Sequence, residues 1–166
     1  MRVGQGFDIH AFCSDPEIRL VLGGVTIEDS PGLQGHSDAD VLCHAVIDAL
    51  LGAAGLGDIG THFGDDDPRW RGCDSTDLLA RSVALVSDAG WQVSNVDCTV
   101  IADAPRISTY APQMRRILGE LCGAPVSVKA SRAEGLGALG RREGIACLAV
   151  VLLEARTRDT SLDSDG

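Results

Sequence analysis

The stretch 35-GHSDADVLCHAVIDALLGAAGLGDIGTHFGDDDP-68 decides how this chain folds. Its middle, Val41 to Leu56, is apolar and helix-forming, yet the segment also holds His36, Asp38, Asp40, His44, Asp48, Asp58, His62 and Asp65 to Asp67. Ionisable residues at that density are costly in a plain core helix. Read at helical period, Asp40, His44 and Asp48 fall at i, i+4 and i+8 on one face, with Leu42, Ala45, Val46, Ala49 and Leu50 on the other. A helix is expected here that turns imidazole and carboxylate one way and core the other. Ser37 or Asp38 is expected to cap its start, and Gly52, Gly55 and Gly57 to loosen its end into a Gly-Asp-Ile-Gly turn. An acidic helix face is most often merely solvated. A histidine between carboxylates is less ordinary, because a carboxylate that accepts one ring N–H leaves the other nitrogen oriented as a metal ligand.

The bulk properties bound what surrounds this helix. A chain of 166 residues with 45% apolar content suits one domain with a real core, and the expected division is a domain over 1–154 and a polar, disordered tail over 155–166. The net charge of −10 argues against nucleic acid or anionic membrane as a partner, since both are polyanions. Any phosphate handled must be met by a local metal, Arg or backbone N–H. No apolar run reaches membrane-span length and no secretory signal is seen, so a cytoplasmic location is expected. Cys13, Cys43, Cys73, Cys98, Cys122 and Cys147 form no C-x-x-C pair and read as reduced packing residues rather than a disulfide framework.

Working outward, Arg2 to His10 reads as a strand ending in Asp8-x-His10, and residues two apart on a strand point the same way. Asp8, His10 and the helical His44 together offer an Asp, His, His set suited to zinc with an open fourth position. Arg19 to Ile27 reads as a hairpin or bulged strand around Gly23-Gly24, and Asp58 to Pro68 as a binding loop. Asp74 to Gly90 predicts a second helix with Ser75 as N-cap. Trp91 to Ala102 predicts a strand broken by Asp103-Ala104-Pro105-Arg106, and Pro112 to Cys122 a third helix. Val126 to Ala130 and Ile145 to Glu154 complete the strands. Between them, the Gly-rich 131–144 segment with Arg132, Glu134, Arg141 and Arg142 suits either a magnesium-bound diphosphate or a surface loop.

In this order and spacing, VGQGFDIHAF, GHSDADVLCHA, DALLGAAGLGDIG, NVDCTVIADAP and GRREGIA resemble the 2-C-methyl-D-erythritol 2,4-cyclodiphosphate synthase family, from about Arg2 to Leu153. The resemblance implies an α+β fold: a single compact domain, a mixed four-stranded sheet packed against helices, assembled as a homotrimer with intersubunit active sites. It implies a lyase of the non-mevalonate isoprenoid route, in which the 2-phosphate of a cytidine diphosphate-linked substrate attacks the β-phosphorus and CMP leaves. No convincing Ser-His or Cys-His nucleophile stands in the sequence, and a reaction whose nucleophile belongs to the substrate needs none.

By the same resemblance Asp8, His10 and His44 would hold Zn2+, and Glu134 would help hold Mg2+ (or Mn2+) between the α- and β-phosphates. His36 and Arg132 are the expected catalytic positions. Asp8, Ile9, His10, His36 and Ser37 would meet phosphate or the erythritol moiety. Asp58, Ile59 and Gly60 would meet hydroxyls, helped by Phe63, Gly64, Asp65, Asp66 and Asp67. Ala102, Asp103, Ala104, Pro105, Arg106, Ile107 and Ser108 would form a cytosine pocket. Ser131, Arg132, Ala133, Glu134, Ala138 and Arg141 would surround the diphosphate. The chain departs from the family pattern where a Thr-Thr-Thr run is common, having Ser131, Arg132 and Ala133 instead. Ala138 and Leu139 replace a frequent Phe-Thr, and Gly64 stands where Pro is common. Two other readings of the same residues are a zinc hydrolase of a phosphodiester substrate and a catalytically impaired trimeric metal- or ligand-binding scaffold.

Overall fold

Alternation along Arg2–Ala11 builds strand β1 with Gly4, Gly6, Asp8 and His10 on one face and Val3, Phe7 and Ile9 on the other. The structure, a computed structural model, describes residues 1–64 and 66–156. β2 (Arg19–Leu22) and β3 (Val25–Pro31) form a hairpin whose turn is Gly23-Gly24, both at positive φ, as the primed hairpin turns require. Helix α1 (Val41–Ala54) follows, then the single turn α2 (Ile59–His62) and helix α3 (Ser75–Asp88). β4 (Trp91–Ile101), α4 (Ala111–Cys122), β5 (Val126–Ser131), the short α5 (Gly137–Gly140) and β6 (Gly144–Ala155) complete the order.

The strands β1, β6, β4 and β5 lie in that order in one sheet, antiparallel except for the parallel β4–β5 pair. The fold is therefore α+β on a mixed four-stranded sheet, as expected. The final strand runs to Ala155, one residue past the expected domain boundary, and Arg156 N–H still donates to Gly90 O. Asp65 and the rest of the expected tail, 157–166, lie outside the described residues.

Helix α1 lies across β1 and β6, with α3 beside it and α4 on β5. It is buried almost all round, from Val41 to Ala54. Its approach to β1 is set by two glycines: a Cβ on Gly4 would stand 1.9 Å from Ala49 O, and one on Gly6 1.9 Å from Ala45 O. Strand backbone thus rests directly on helix backbone, which no larger residue would allow. Leu20, Leu22 and Ile27 of the hairpin, Leu79, Met114 and Leu118 of α3 and α4, and Ile145, Val151 and Leu153 of β6 close the core around α1. The opposite sheet face leaves Val3, Phe7, Ile9, Leu148 and Val150 exposed.

Two expectations about helix starts are corrected. The N-cap of α1 is Asp40, not Ser37 or Asp38: its carboxylate accepts from Leu42 N and Cys43 N. Having non-helical backbone, it does not share the face of His44 and Asp48, and it is fully buried beneath the hairpin, where Gly23 N and Gly24 N also donate to it. The cap of α3 is Asp74 rather than Ser75, which leaves the Ser75 hydroxyl available for another contact.

Candidate metal centre and active site

The close contact of β1 with α1 puts Asp8 and His10 opposite His44. His10 Nε2 stands 3.1 Å and His44 Nδ1 3.0 Å from the same oxygen, Asp8 Oδ2, and the two rings meet edge to face at 5.5 Å between centroids. The ligand atoms of all three residues lie within 4.8 Å of one another. Each remaining ring nitrogen has its own partner. His10 Nδ1 is 2.5 Å from Gln34 O, which can only accept, so Nδ1 carries the proton. His44 Nε2 is 2.9 Å from Ser75 Oγ and 3.1 Å from Ser37 Oγ. His10 Nε2, His44 Nδ1 and the Asp8 carboxylate oxygen therefore converge on one spot. Protons or a cation must lie between them, and the donor set suits a divalent transition metal.

Burial by itself pushes the Asp8 carboxyl up, but the hydrogen bonds from His10 and His44, with their charge, outweigh it and hold Asp8 well below the usual carboxylate range. Asp48, one helical turn beyond His44, is pushed up by burial and accepts from Ile59 N at 2.8 Å, which ties α2 to α1 beside the triad.

A cavity of about 610 Å³ opens over the triad. It is lined by Asp8, His10, His36, Ser37 and His44 together with Ile59, Gly60, Phe63, Gly64 and Asp66 of α2 and the loop after it, and by Trp70 and Leu78. Phe63 stacks edge to face on Trp70 at 5.2 Å, and Arg69 and Arg81 lie against the Trp70 ring. Within this cavity His36 Nε2 is buried and has no hydrogen-bond partner among the described residues. A buried polar atom left in that state costs free energy, so it marks where a ligand atom belongs.

A second cavity, of about 460 Å³, is lined by Ala102, Asp103, Ala104, Pro105, Arg106, Ile107 and Ser108 with Ala130, Ser131 and Arg132. Asp103 ties its wall to the next loop by accepting from Ala133 N at 3.0 Å and Gly135 N at 3.4 Å. His36 and Arg132 line separate cavities of the chain. Of the other expected positions, Ile9 points to the exposed sheet face, Asp58 caps α2 through Thr61, and Asp67 pairs with Arg69. Ala133, Glu134, Ala138 and Arg141 line neither cavity; Glu134 has a positive φ of 51° and Arg141 pairs with Glu143 at 2.6 Å. Asp65 lies outside the described residues.

The sequence reading missed Ser75, Asp38, Gln34 O, Trp70 and Leu78 as parts of the site. Ser75 carried a signal, a polar residue at a helix start, but it pointed to capping. Gln34 acts through its carbonyl, which no side-chain pattern records.

Comparison with known proteins follows the same lines. The model of the YgbB family matches residues 1–154. A curated protein of Bordetella avium (strain 197N), named 2-C-methyl-D-erythritol 2,4-cyclodiphosphate synthase, is 57% identical over 92% of this chain and 94% of its own length. Among solved structures, IspF of Plasmodium falciparum in a CDP complex superposes with a TM-score of 0.81 at 34% identity, covering 94% of this chain and 97% of that one. The bifunctional IspDF of Campylobacter jejuni superposes with a TM-score of 0.88 at 37% identity over 93% of this chain, which spans 42% of that protein.

Proposed function

The chain belongs to the YgbB family, and from that premise we infer that it converts 4-diphosphocytidyl-2-C-methyl-D-erythritol 2-phosphate to 2-C-methyl-D-erythritol 2,4-cyclodiphosphate and CMP. The observation that carries the reading is the pairing, in one cavity, of the Asp8, His10, His44 triad with the unpartnered His36 Nε2. Phosphate oxygens are the ligand atoms that suit both. An oxygen of the 2-phosphate forms a bond to the β-phosphorus, and the bond from that phosphorus to the bridging α–β oxygen breaks, releasing CMP. Water takes no part.

Asp8 Oδ2, His10 Nε2 and His44 Nδ1 would hold Zn2+, which when bound supplies Lewis acidity toward a phosphoryl oxygen. His36 Nε2 would donate to the phosphate as charge moves through the transition state. Ser37, Ile59, Gly60, Phe63, Gly64 and Asp66 would enclose the methylerythritol portion. The cavity over Ala102 to Ser108 would take the cytosine, a reading supported by the CDP bound to the Plasmodium falciparum relative. Glu134 would offer a carboxylate oxygen to Mg2+ or Mn2+, which when bound would offset phosphate charge, with Arg132 and Arg141 nearby in sequence to add to that effect. Ile9, Asp58, Asp67, Ala133 and Ala138 would contribute at the edges of these sites.

A homotrimer accounts for two features together: the two cavities are separate in one chain, and the sheet face carrying Val3, Phe7, Ile9, Leu148 and Val150 is uncovered. An apolar face of that kind marks an interface, and a neighbour could join one chain's triad cavity to another's cytosine cavity. No helix among the described residues is long and apolar enough to cross a membrane, and all six thiols are free, which fits a cytoplasmic setting.

The test is CMP release from the diphosphocytidyl substrate by protein supplied with zinc and magnesium, beside His44→Ala, with the co-product followed by phosphorus NMR. Release that needs His44 and yields the cyclic diphosphate is expected. A linear, water-derived product would identify a hydrolase instead. A folded, metal-loaded protein that releases nothing would support the scaffold reading and point to Arg132→Thr as the repair.

A further inference from the structure

We propose that Ser75 is a positioning residue for the metal centre, fixing through Asp38 which nitrogen of His44 faces the metal. The inference rests on the triad being a metal site. Its observation is a continuous chain of contacts behind His44: Nε2 to Ser75 Oγ at 2.9 Å, then Ser75 Oγ to Asp38 Oδ1 at 2.5 Å. An ionised carboxylate only accepts, so the single hydroxyl proton of Ser75 goes to Asp38. The hydroxyl oxygen that remains can only accept from His44. The imidazole proton is thereby placed on Nε2, and Nδ1 is left with its lone pair toward Asp8 Oδ2, 3.0 Å away.

The far end of this chain is itself held. Asp38 Oδ2 accepts from Ser75 N at 3.2 Å, Oδ1 accepts from Asp40 N at 3.3 Å, and Asp38 N donates to Cys73 O. The carboxylate is thus bound to the same residue through both backbone and side chain at the first turn of α3. Ser75 is fully buried, so its hydroxyl is not in exchange with bulk water. Ser37 also lies 3.1 Å from Nε2, but among the described residues its hydroxyl meets Ser75 Oγ and Ala39 N and no carboxylate, so nothing forces it to accept from His44. Asp74, the actual cap of α3, relieves Ser75 of that task. Helix α3 therefore contributes to the centre although none of its residues is among the three ligands.

The experiment is titration of the metal-free protein with Co2+, read from its visible absorption, for wild type, Ser75→Ala, Ser82→Ala and Asp38→Asn. Ser82 is the matched control: it is also fully buried on α3, and among the described residues its hydroxyl donates to Leu78 O at 2.9 Å and meets no group of the metal centre. Ser75→Ala is expected to weaken Co2+ binding about 10- to 100-fold, the usual effect of losing a partner behind a ligand, and Asp38→Asn to weaken it in the same direction. Ser82→Ala should bind Co2+ like wild type. An equal loss in Ser75→Ala and Ser82→Ala would show a general packing effect and overturn the proposal. If Ser75→Ala does not fold, unchanged binding by Asp38→Asn overturns it. Imidazole nitrogen NMR of the zinc-loaded wild type should find the His44 proton on Nε2; a proton on Nδ1 also overturns it. Failure of wild type itself to bind Co2+ would instead refute the metal site on which the inference rests.

Discussion

Replacing Gly6 by Ala should open the metal centre without touching a ligand. The added Cβ would lie 1.9 Å from Ala45 O and 2.8 Å from Ala49 N, both backbone atoms of α1 that no rotamer change can move. Reaching even 3.0 Å, below which Cβ contacts are essentially never found, requires a separation of at least 3.0 − 1.9 = 1.1 Å between strand and helix. Asp8 stands two residues along that strand, and His44 is the residue before Ala45. Their 3.0 Å contact would then stretch to about 4 Å, beyond hydrogen-bond reach, if the shift is shared along β1. Overpacking against side chains costs about 1–3 kcal/mol, and the upper end is expected here because backbone must give way. For a chain of this length that corresponds to a fall in melting temperature of roughly 6–12 °C. The assay is calorimetry of the metal-free protein with Co2+ titration beside it, and affinity should fall at least about tenfold. Gly52→Ala is the control, since nothing lies within 4 Å of its added Cβ; it should gain about 0.5–1 kcal/mol as an ordinary helix substitution. A Gly6→Ala protein that melts with wild type and binds Co2+ equally would refute the idea that glycine contact sets the triad.

Asp40→Asn should be among the most damaging single-atom changes, because the fully buried carboxylate accepts from Gly23, Gly24, Leu42 and Cys43 and an amide group cannot serve all four. A loss of about 2–4 kcal/mol in urea unfolding is expected, and a loss under about 1 kcal/mol would contradict it. Burial pushes the Cys98 and Cys122 thiols up to about 12, so neither should react with iodoacetamide at pH 8 until the protein unfolds. Because these folded-state values exceed the unfolded one of about 8.5, their contribution to stability is complete below that pH and is lost as pH rises toward about 12. Peptide mapping of the native and urea-treated protein checks the first statement, and alkaline melting curves the second. If the proposed trimer packs on the uncovered sheet face, wild type should sediment as a trimer and Val150→Asp as monomers, whereas a Val150→Asp trimer would place the interface elsewhere.

Much of this protein could be read from residue order. Strand β1 and helices α1, α3 and α4 announce themselves through period and breakers, because alternation and helical spacing are local properties of a chain. Asp8 and His10 share a face for the same reason, and His44 stands out as an imidazole in an apolar helix. The family resemblance rested on motifs of the same contiguous kind. What the order of residues could not show is which groups meet from different elements. Asp40 looked like part of the histidine face, yet the hairpin's Gly23 and Gly24 draw its carboxylate into the core. Ser75 looked like a cap, yet α3 delivers it to the back of His44, 31 residues earlier in the chain. Nothing in the order of residues says why Gly4 and Gly6 are glycine, and only the packed helix reveals that they leave room for its backbone. Such pairings arise from long-range packing, whose geometry depends on every element at once, so the ligand types were legible in the sequence while their orientation and support were decided by the tertiary structure.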